Sequence, residues 1–277
     1  MYDFAKRPLW ILSHILVAVG VLAMIRLGIW QMSRWQSEQD NKERIEAGMD
    51  AAPVPLEDLL GNLGNPTETS QVPEDVEYRR VTATGTWDLE SQVLVRNRSL
   101  GGAPGGWLLT PLVLDDGSEV AVLRGWVPLD AANAGAPYPG TDPASGEAVV
   151  TGVVQRTQQG GGLGAKDPDT GVLDTLARVD LDRYTQQLEV PLAPVWIVAQ
   201  NTEPPQPTDG LSVVEVEVPE PSQNFSYMMQ WWFFSLIAVG GYLLILRKVA
   251  QTRDDSRGSG KRLSDVPEDD PPEVVGV

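Results

Sequence analysis

The sequence predicts a membrane protein with two transmembrane helices and an extracytoplasmic domain rich in β-strands, a small barrel or sandwich of the α+β class. An apolar run near each end predicts the helices, and short period-two segments separated by turn signals predict the domain. The expected order is a cytoplasmic N-terminus (1–8), a first spanning helix (9–30), the extracytoplasmic domain (31–222), a second spanning helix (223–246) and a disordered, acidic cytoplasmic tail (247–277).

The first apolar run extends from Leu9 to Ile29, about the twenty residues that a spanning helix needs. Lys6 and Arg7 before it are also typical of a secretory signal peptide. However, no small-residue cleavage site follows, and Trp30 and Trp35 are typical of interfacial anchors. We therefore expect a helix that is retained in the mature protein.

The second apolar run, Phe225 to Leu246, sets the topology. Arg247, Lys248 and Arg253 follow it, whereas the twenty residues before it contain no Lys or Arg. The positive-inside rule then places its C-terminal end in the cytoplasm. We expect a multi-pass protein of a bacterial-type cell (inner) membrane, with both termini cytoplasmic and the main domain outside.

The composition excludes several functions. The net charge of −17 makes nucleic acid an unsuitable partner, because phosphate binding requires clustered Lys and Arg. The absence of cysteine excludes disulfides, thiolate metal sites and covalent c-type haem. His14 is the only histidine, so multi-histidine metal sites and serine–histidine catalysis in the domain are excluded, and we expect no enzyme activity. His14 itself is either a ligand for haem or a histidine that is hydrogen-bonded between the helices.

Period-two alternation predicts about seven strands in the domain. They are residues 79–87, 93–98, 106–114, 119–127, 147–154, 195–200 and 211–218. Asp115 to Gly117 predicts a hairpin turn, and Pro111 within a strand requires an edge or a bulge. The sequence also predicts a polar helical extension of the first span over residues 36–48 and a short helix from Asp182 to Leu188.

Five stretches together resemble the Surfeit locus protein 1 family in order and spacing. They are Leu27–Gln31 with Arg34 (L-G-x-W-Q-x-x-R), Tyr78–Trp87, Gly106–Leu112 (ending in L-T-P-L), Arg124–Pro128 (R-G-W-[VI]-P), and Tyr227 with Trp231 (Y-x-x-x-W). The resemblance extends from residue 9 to residue 246, which is almost the whole chain except the tail.

The resemblance implies an assembly factor for haem–copper cytochrome c oxidase, which supports haem a insertion into subunit I or the maturation of that subunit. The expected partners are oxidase subunits, chiefly subunit I, together with other respiratory complex subunits and membrane lipid. The first alternative is a stably bound accessory subunit of the oxidase or of a respiratory supercomplex. The second is a membrane-tethered domain that binds a ligand in the cell envelope.

One departure from the family concerns the cofactor. Family members commonly have N-N-H-L-x-Y at the start of the second helix, and Asn224 occupies the position of that histidine here. An amide is a poor iron ligand beside imidazole. We therefore expect at most transient binding of haem a, with His14 as the remaining candidate for a cofactor-binding residue.

The motif residues at the membrane level are candidates for partner binding. Trp30 and Arg34 share a helix face with Gln31 beside them, and Tyr227 and Trp231 share a face of the second helix. Aromatic rings with amide and guanidinium donors suit a partner helix. The alternative interpretation is an aromatic belt with packing between the two helices.

Arg124 and Trp126 are the candidate partner-binding residues in the domain. Arg124 would contact an oxidase subunit, with Trp126 beside it in the same motif. The alternative is a strand end that turns through Gly125 over a buried Trp126.

Overall fold

The computed structural model describes residues 3–64, 66–160, 165–218 and 222–264. The contacts within it divide the chain into two compact units. One unit consists of the chain up to Asp40 together with the C-terminal helix, and the other runs from Asn41 to Pro219.

The described residues form five α-helices and eight strands. The helices are α1 (Pro8–Asp50), α2 (Leu56–Asn62), α3 (Leu129–Ala134), α4 (Leu181–Tyr184) and α5 (Ser222–Ser264). The strands are β1 (Val54–Pro55), β2 (Arg80–Trp87), β3 (Val93–Leu100), β4 (Ala103–Leu114), β5 (Glu119–Pro128), β6 (Glu147–Arg156), β7 (Thr175–Leu176) and β8 (Leu192–Glu203).

Helix α1 combines the first apolar run and the predicted polar extension in one element. It begins at Pro8, where the missing backbone N–H leaves no helical hydrogen bond unmade. It ends at Asp50, shortly before Pro53. Its apolar part and that of α5 are each long and apolar enough to cross a membrane, so the two predicted apolar helices are confirmed as elements.

Helix α5 is longer than the sequence predicted. Its backbone stays helical to Ser264, through the first part of the segment for which we expected a disordered tail. Adding a residue to an existing helix gains one hydrogen bond without a new nucleation step, which favours this continuation. The rest of the predicted tail, residues 265–277, lies outside the described residues.

A mixed sheet forms the body of the domain between the two helices. The strand order is β1-β2-β6-β8-β5-β4-β3-β7. Strand β2 also pairs with β4 through Gly85, Thr86 and Trp87, so pairing runs through five strands and returns to β2. The β5–β8 pair is parallel, whereas the other four pairs of this circuit are antiparallel. The strand-rich domain is thus confirmed as a mixed sheet, and the choice between barrel and sandwich stays a prediction.

The local predictions in the domain are confirmed where short-range signals specify them. Strands β4 and β5 are joined at the predicted turn, where Gly117 has φ +80° and its N–H donates to the Leu114 carbonyl at 3.0 Å. The predicted short helix is α4, which continues as a 3₁₀ turn from Thr185 to Gln187. The Asp180 side chain caps α4 by accepting a hydrogen bond from the Arg183 N–H at 3.0 Å.

Pro111 lies where one edge of β4 changes partner. Strand β3 pairs with β4 only as far as Leu109, and β2 pairs with it from Leu112 onward. Between them the Pro111 carbonyl accepts a hydrogen bond from Asp88 N at 3.0 Å. The missing N–H of Pro111 therefore lies outside the β3–β4 and β2–β4 ladders. Pro111 thus occupies a local edge of β4, as the sequence predicts.

The predicted strand over residues 211–218 is wrong. Only Ser212 pairs, in an isolated bridge with Trp126. Strand β5 is already paired with β8 as far as Leu123, so a free edge remains only at its end. Val214 and Val216 pack against the core, and this packing produces the alternation that the sequence shows.

The core lies among the strands and takes in the end of α1. Ile45 is buried, and a Cβ on Gly48 would lie 2.6 Å from the Tyr78 carbonyl oxygen, so only glycine allows this approach. Two buried rings have polar atoms that are hydrogen-bonded to backbone carbonyls. Tyr184 Oη donates to Ser91 O at 2.7 Å, and Trp196 Nε1 donates to Arg156 O at 2.8 Å.

Candidate functional site

His14 is joined to the other long helix of its unit. Its Nδ1 atom and the Tyr242 hydroxyl are hydrogen-bonded, and the two rings pack edge to face with centroids 5.6 Å apart. The same hydroxyl lies 2.7 Å from Ser13 Oγ. The sequence allowed two interpretations of His14, a haem ligand or a histidine that is hydrogen-bonded between the helices. The contact with Tyr242 is a hydrogen bond between the helices. A role in cofactor binding stays a prediction.

Trp30 and Arg34 form an exposed pair on α1. Trp30 is 54% exposed, and the Arg34 guanidinium lies 5.9 Å from the centre of its ring. Arg34 Nε donates to Glu38 Oε1 at 3.4 Å, an i,i+4 contact at the surface. The surface contact between Arg34 and Glu38 contributes little to stability. Trp30 and Arg34 are both exposed, so they are accessible to a partner.

Gln31 lies beside this pair and is half-buried. Its Oε1 atom is buried and has no hydrogen-bond partner among the described residues. Most buried side-chain oxygens are hydrogen-bonded, so an acceptor without a partner is unusual at this position. Among the predicted partner-binding residues of α1, Gln31 is therefore the one whose buried acceptor, Oε1, has no hydrogen-bond partner in the described structure.

Asn224, the residue at the family's histidine position, contacts α1. Its Nδ2 donates to Glu38 Oε2, so Glu38 receives a hydrogen bond from each long helix. Next to it, the Trp35 and Phe225 rings have centroids 5.6 Å apart. The amide is thus engaged by a carboxylate from the neighbouring helix.

The two predicted residues of α5 differ in exposure. Tyr227 is 45% exposed, whereas Trp231 is half-buried and packs edge to face on Phe234 at 6.4 Å. Gly28 of the α1 motif has a structural function in the same unit. A Cβ there would lie 2.3 Å from Trp232 Nε1, so glycine is what allows this indole to approach the α1 backbone.

Arg124 is buried within the domain, with 3% of its surface exposed. Its Nε and Nη2 atoms donate to Gln206 Oε1 at 2.9 and 2.6 Å, and Nη2 also donates to the Thr141 carbonyl. A longer contact of 3.4 Å joins Nη1 to Gln92 Oε1. The guanidinium lies 5.2 Å from the centre of the Trp87 ring. Burial lowers the pKa of Arg124 to about 10, partly offset by the charge of Asp142.

Trp126 is buried at the end of β5. Its Nε1 atom donates to the Arg98 carbonyl at 2.9 Å, and its backbone pairs with Ser212. A Cβ on Gly105 would lie 2.5 Å from the Trp126 ring, so the indole packs directly on that glycine. The geometry matches the alternative of a strand end over a buried tryptophan, and contact with a partner stays a prediction for both Arg124 and Trp126.

Several residues that complete these sites carry no signal in the sequence. Gln206 and Thr141 surround Arg124 from segments 82 and 17 residues away. Tyr242 lies 228 residues from His14, and Glu38 lies 186 residues from Asn224. Within the described part of the chain, no group of three or more His, Asp or Glu side chains is placed to hold a metal ion.

Comparison with known proteins covers most of the chain. A model of the SURF1 family matches residues 18–236, a span that contains all of the predicted partner-binding residues. SURF1-like proteins of Mycobacterium bovis and Mycobacterium tuberculosis are 28% identical over 259 residues, which is 92% of this chain and 90% of theirs. The cytochrome oxidase assembly protein SHY1 of Saccharomyces cerevisiae is 31% identical over 126 residues, 45% of this chain and 29% of its own.

Proposed function

The chain belongs to the SURF1 family, and we propose that it is a non-enzymatic assembly factor for haem–copper cytochrome c oxidase. In this proposal it supports haem a insertion into subunit I or the maturation of that subunit. The observation that carries the proposal is the family match over residues 18–236, which includes the whole domain, most of α1 and about the first third of α5. The name of the yeast relative, a cytochrome oxidase assembly protein, supports the general role.

The surface of the two long helices supports placement in a membrane. Large apolar side chains are exposed along both, including Leu16 at 63% and Leu236 at 72%. Apolar surface that is left in water costs roughly 25 cal/mol per Å², and lipid removes that cost. The Lys and Arg residues after position 246 favour a cytoplasmic C-terminus, with the domain outside a bacterial-type inner membrane.

The proposed contact with subunit I uses the exposed groups of the helix unit. Trp30, Arg34 and Tyr227 present rings and a guanidinium, and half-buried Gln31 lies beside the α1 pair. Trp231 supports this surface from a half-buried position. Other respiratory complex subunits and membrane lipid are the further expected contacts.

The residues at the family's histidine position do not fit an iron ligand set. Asn224 offers an amide, and that amide is bonded to the Glu38 carboxylate. The one histidine, His14, has its Nδ1 atom bonded to Tyr242. We therefore propose that the chain supports insertion of haem a by contacting subunit I, with at most transient binding of the haem itself.

A stably bound accessory subunit of the oxidase or a supercomplex is the second candidate function. The observation that favours it is Asn224, because docking can persist where ligation by histidine has been lost. A membrane-tethered domain that binds an envelope ligand has less support. Such a domain would present exposed aromatic rings, whereas Trp126 and Trp196 are buried and Trp87 and Trp107 are half-buried.

The test is a pull-down of the full-length protein in mild detergent, with oxidase stoichiometry and haem a absorbance measured on the same eluate. Recovery of trace or haem-deficient subunit I supports the assembly factor. Near-equimolar oxidase that carries all of the haem a supports the accessory subunit. An eluate without any oxidase component contradicts both.

A pair of variants tests the contact surface in the same assay. Trp30→Ala removes an exposed ring from the proposed contact, and we expect it to lower recovery of subunit I. Phe233→Ala removes a ring that is 61% exposed but lies outside the motifs, and it serves as the matched control. Equal recovery with both variants would remove Trp30 from the proposed contact.

A further inference from the structure

A small cavity lies beside the buried guanidinium of Arg124. It has a volume of about 140 Å³, and Arg124, Gln206 and Thr202 are among the residues that line it. The segment after β8 forms much of its wall through Pro205, Gln206 and Pro207. None of the predicted partner-binding residues other than Arg124 lines this cavity.

The charge of Arg124 has no counter-ion in contact with it. No carboxylate of the described residues lies within ion-pair distance of its guanidinium, and Asp142, which acts on it at longer range, is exposed. The oxygens that accept its hydrogen bonds belong to neutral groups, namely Gln206, Gln92 and the Thr141 carbonyl. Burial of a charge is costly unless an opposite charge accompanies it, so this site is electrostatically incomplete.

Gln206 occupies the position that an anion would take. Its Oε1 atom accepts hydrogen bonds from both Nε and Nη2 of Arg124, which is the edge of a guanidinium that a carboxylate binds through two oxygens. The amide reproduces one oxygen of that pair without the negative charge. Gln206 is half-buried at the cavity wall, on a segment outside the sheet, so its side chain can give way to a ligand.

The volume limits the ligand. The cavity volume of about 140 Å³ is well below the roughly 300–1,000 Å³ of pockets that hold drug-sized ligands. A small carboxylate, free or at the end of an aspartate or glutamate side chain, fits this space, whereas a porphyrin does not. The cavity is therefore distinct from any haem site.

We propose that this cavity is a carboxylate-binding site in which Arg124 binds the anion and Gln206 moves aside to admit it. The carboxylate is either a free small acid or the side chain of an aspartate or glutamate on another protein. This inference goes beyond the proposed function, because it holds whether or not the partner is the oxidase.

The test is thermal unfolding of the full-length protein in detergent, followed by near-ultraviolet circular dichroism, with acetate as the probe. Sodium chloride of equal ionic strength is the reference. We expect acetate to raise Tm by about 3–6 °C at ten times its Kd, because a ligand that binds only the folded state stabilises it by mass action. Identical Tm values in acetate and chloride at all concentrations would overturn the proposal.

A variant that supplies its own carboxylate makes the test specific to this cavity. We expect Gln206→Glu to have a higher Tm in chloride and to lose the response to acetate, because the new side chain pairs with Arg124. Gln186→Glu places the same change at an exposed position and should respond like the wild type. A Gln206→Glu protein that keeps the full response to acetate would show that acetate binds elsewhere, and would also overturn the proposal.

A second probe distinguishes the two sources of the carboxylate. N-acetylglutamate α-amide carries a side-chain carboxylate on a peptide unit. A Kd at least tenfold lower than that of acetate supports a carboxylate on a protein chain, whereas an equal or higher Kd supports a free small acid. Because the oxidase is absent from these measurements, their outcome is independent of the pull-down.

Discussion

The burial of Glu119 leads us to predict an unusual pH dependence of stability. This residue begins β5 with 4% of its surface exposed, and its Oε2 atom is buried without a hydrogen-bond partner in the described structure. Burial raises the pKa of Glu119 to about 7, and the negative charge of Asp88 adds to this effect. The nearby Tyr184 hydroxyl, also buried, remains neutral over the range of interest because its pKa is raised above its usual value.

The direction of this pH dependence follows from the linkage between protonation and folding. The folded state keeps Glu119 protonated up to a higher pH than the unfolded state, so its contribution to stability is complete below the unfolded pKa of 4.5 and is lost as pH rises through about 7. At 1.36 kcal/mol for each pKa unit, the loss is at most about 3 kcal/mol. Glu119→Gln keeps a neutral side chain of the same shape and removes this loss.

The assay is denaturant unfolding of the wild type and of Glu119→Gln between pH 4 and pH 9. We expect the variant to gain stability over the wild type as pH rises, and the difference to reach a plateau above about pH 8. Glu147→Gln, at an exposed position on β6, is the control and should give a constant difference. Parallel pH profiles for Glu119→Gln and wild type would refute the assignment of a buried, neutral carboxyl group.

Three further substitutions test other contacts. Gly28→Ala should weaken the packing of α1 on Trp232, measured as faster trypsin cleavage in detergent. Gly20→Ala is the control and should not change the cleavage rate, because no atom lies within 4 Å of its new Cβ. Equal cleavage rates of the two variants would contradict the close approach of Trp232 to Gly28. Trp126→Phe should lower the unfolding free energy by about 1 kcal/mol or more through the lost indole hydrogen bond, and an unchanged value would contradict that bond. Asn224→His should gain haem a absorbance after reconstitution, and equal absorbance in the wild type would contradict our interpretation of the amide.

Local signals in the sequence predicted much of the fold. The turn at Asp115–Gly117 and the capped helix α4 depend on residues within a few positions of each other, so the sequence contains their causes. The strand predicted over residues 211–218 failed because period-two alternation records which side chains face a core. It does not record whether a neighbouring strand has a free edge.

The candidate site could be predicted only in part for a related reason. The motif residues Trp30, Arg34 and Arg124 stand out through the resemblance to the family's motifs, but their partners are set by the tertiary fold. Nothing near Gln206 in the sequence connects it with Arg124, 82 positions away. The burial of Arg124 therefore had to come from the structure, and with it the neutral surroundings that suggest a carboxylate ligand.

The ends of the sheet affect how this domain can meet other proteins. The terminal strands in the sheet order, β1 and β7, are two residues long, and five of the remaining strands pair in a circuit. Each of these two terminal strands therefore offers few backbone N–H and C=O groups to a passing strand, which limits aggregation by extension of β1 or β7. Short terminal strands therefore favour contacts with other proteins through side chains rather than through added strands.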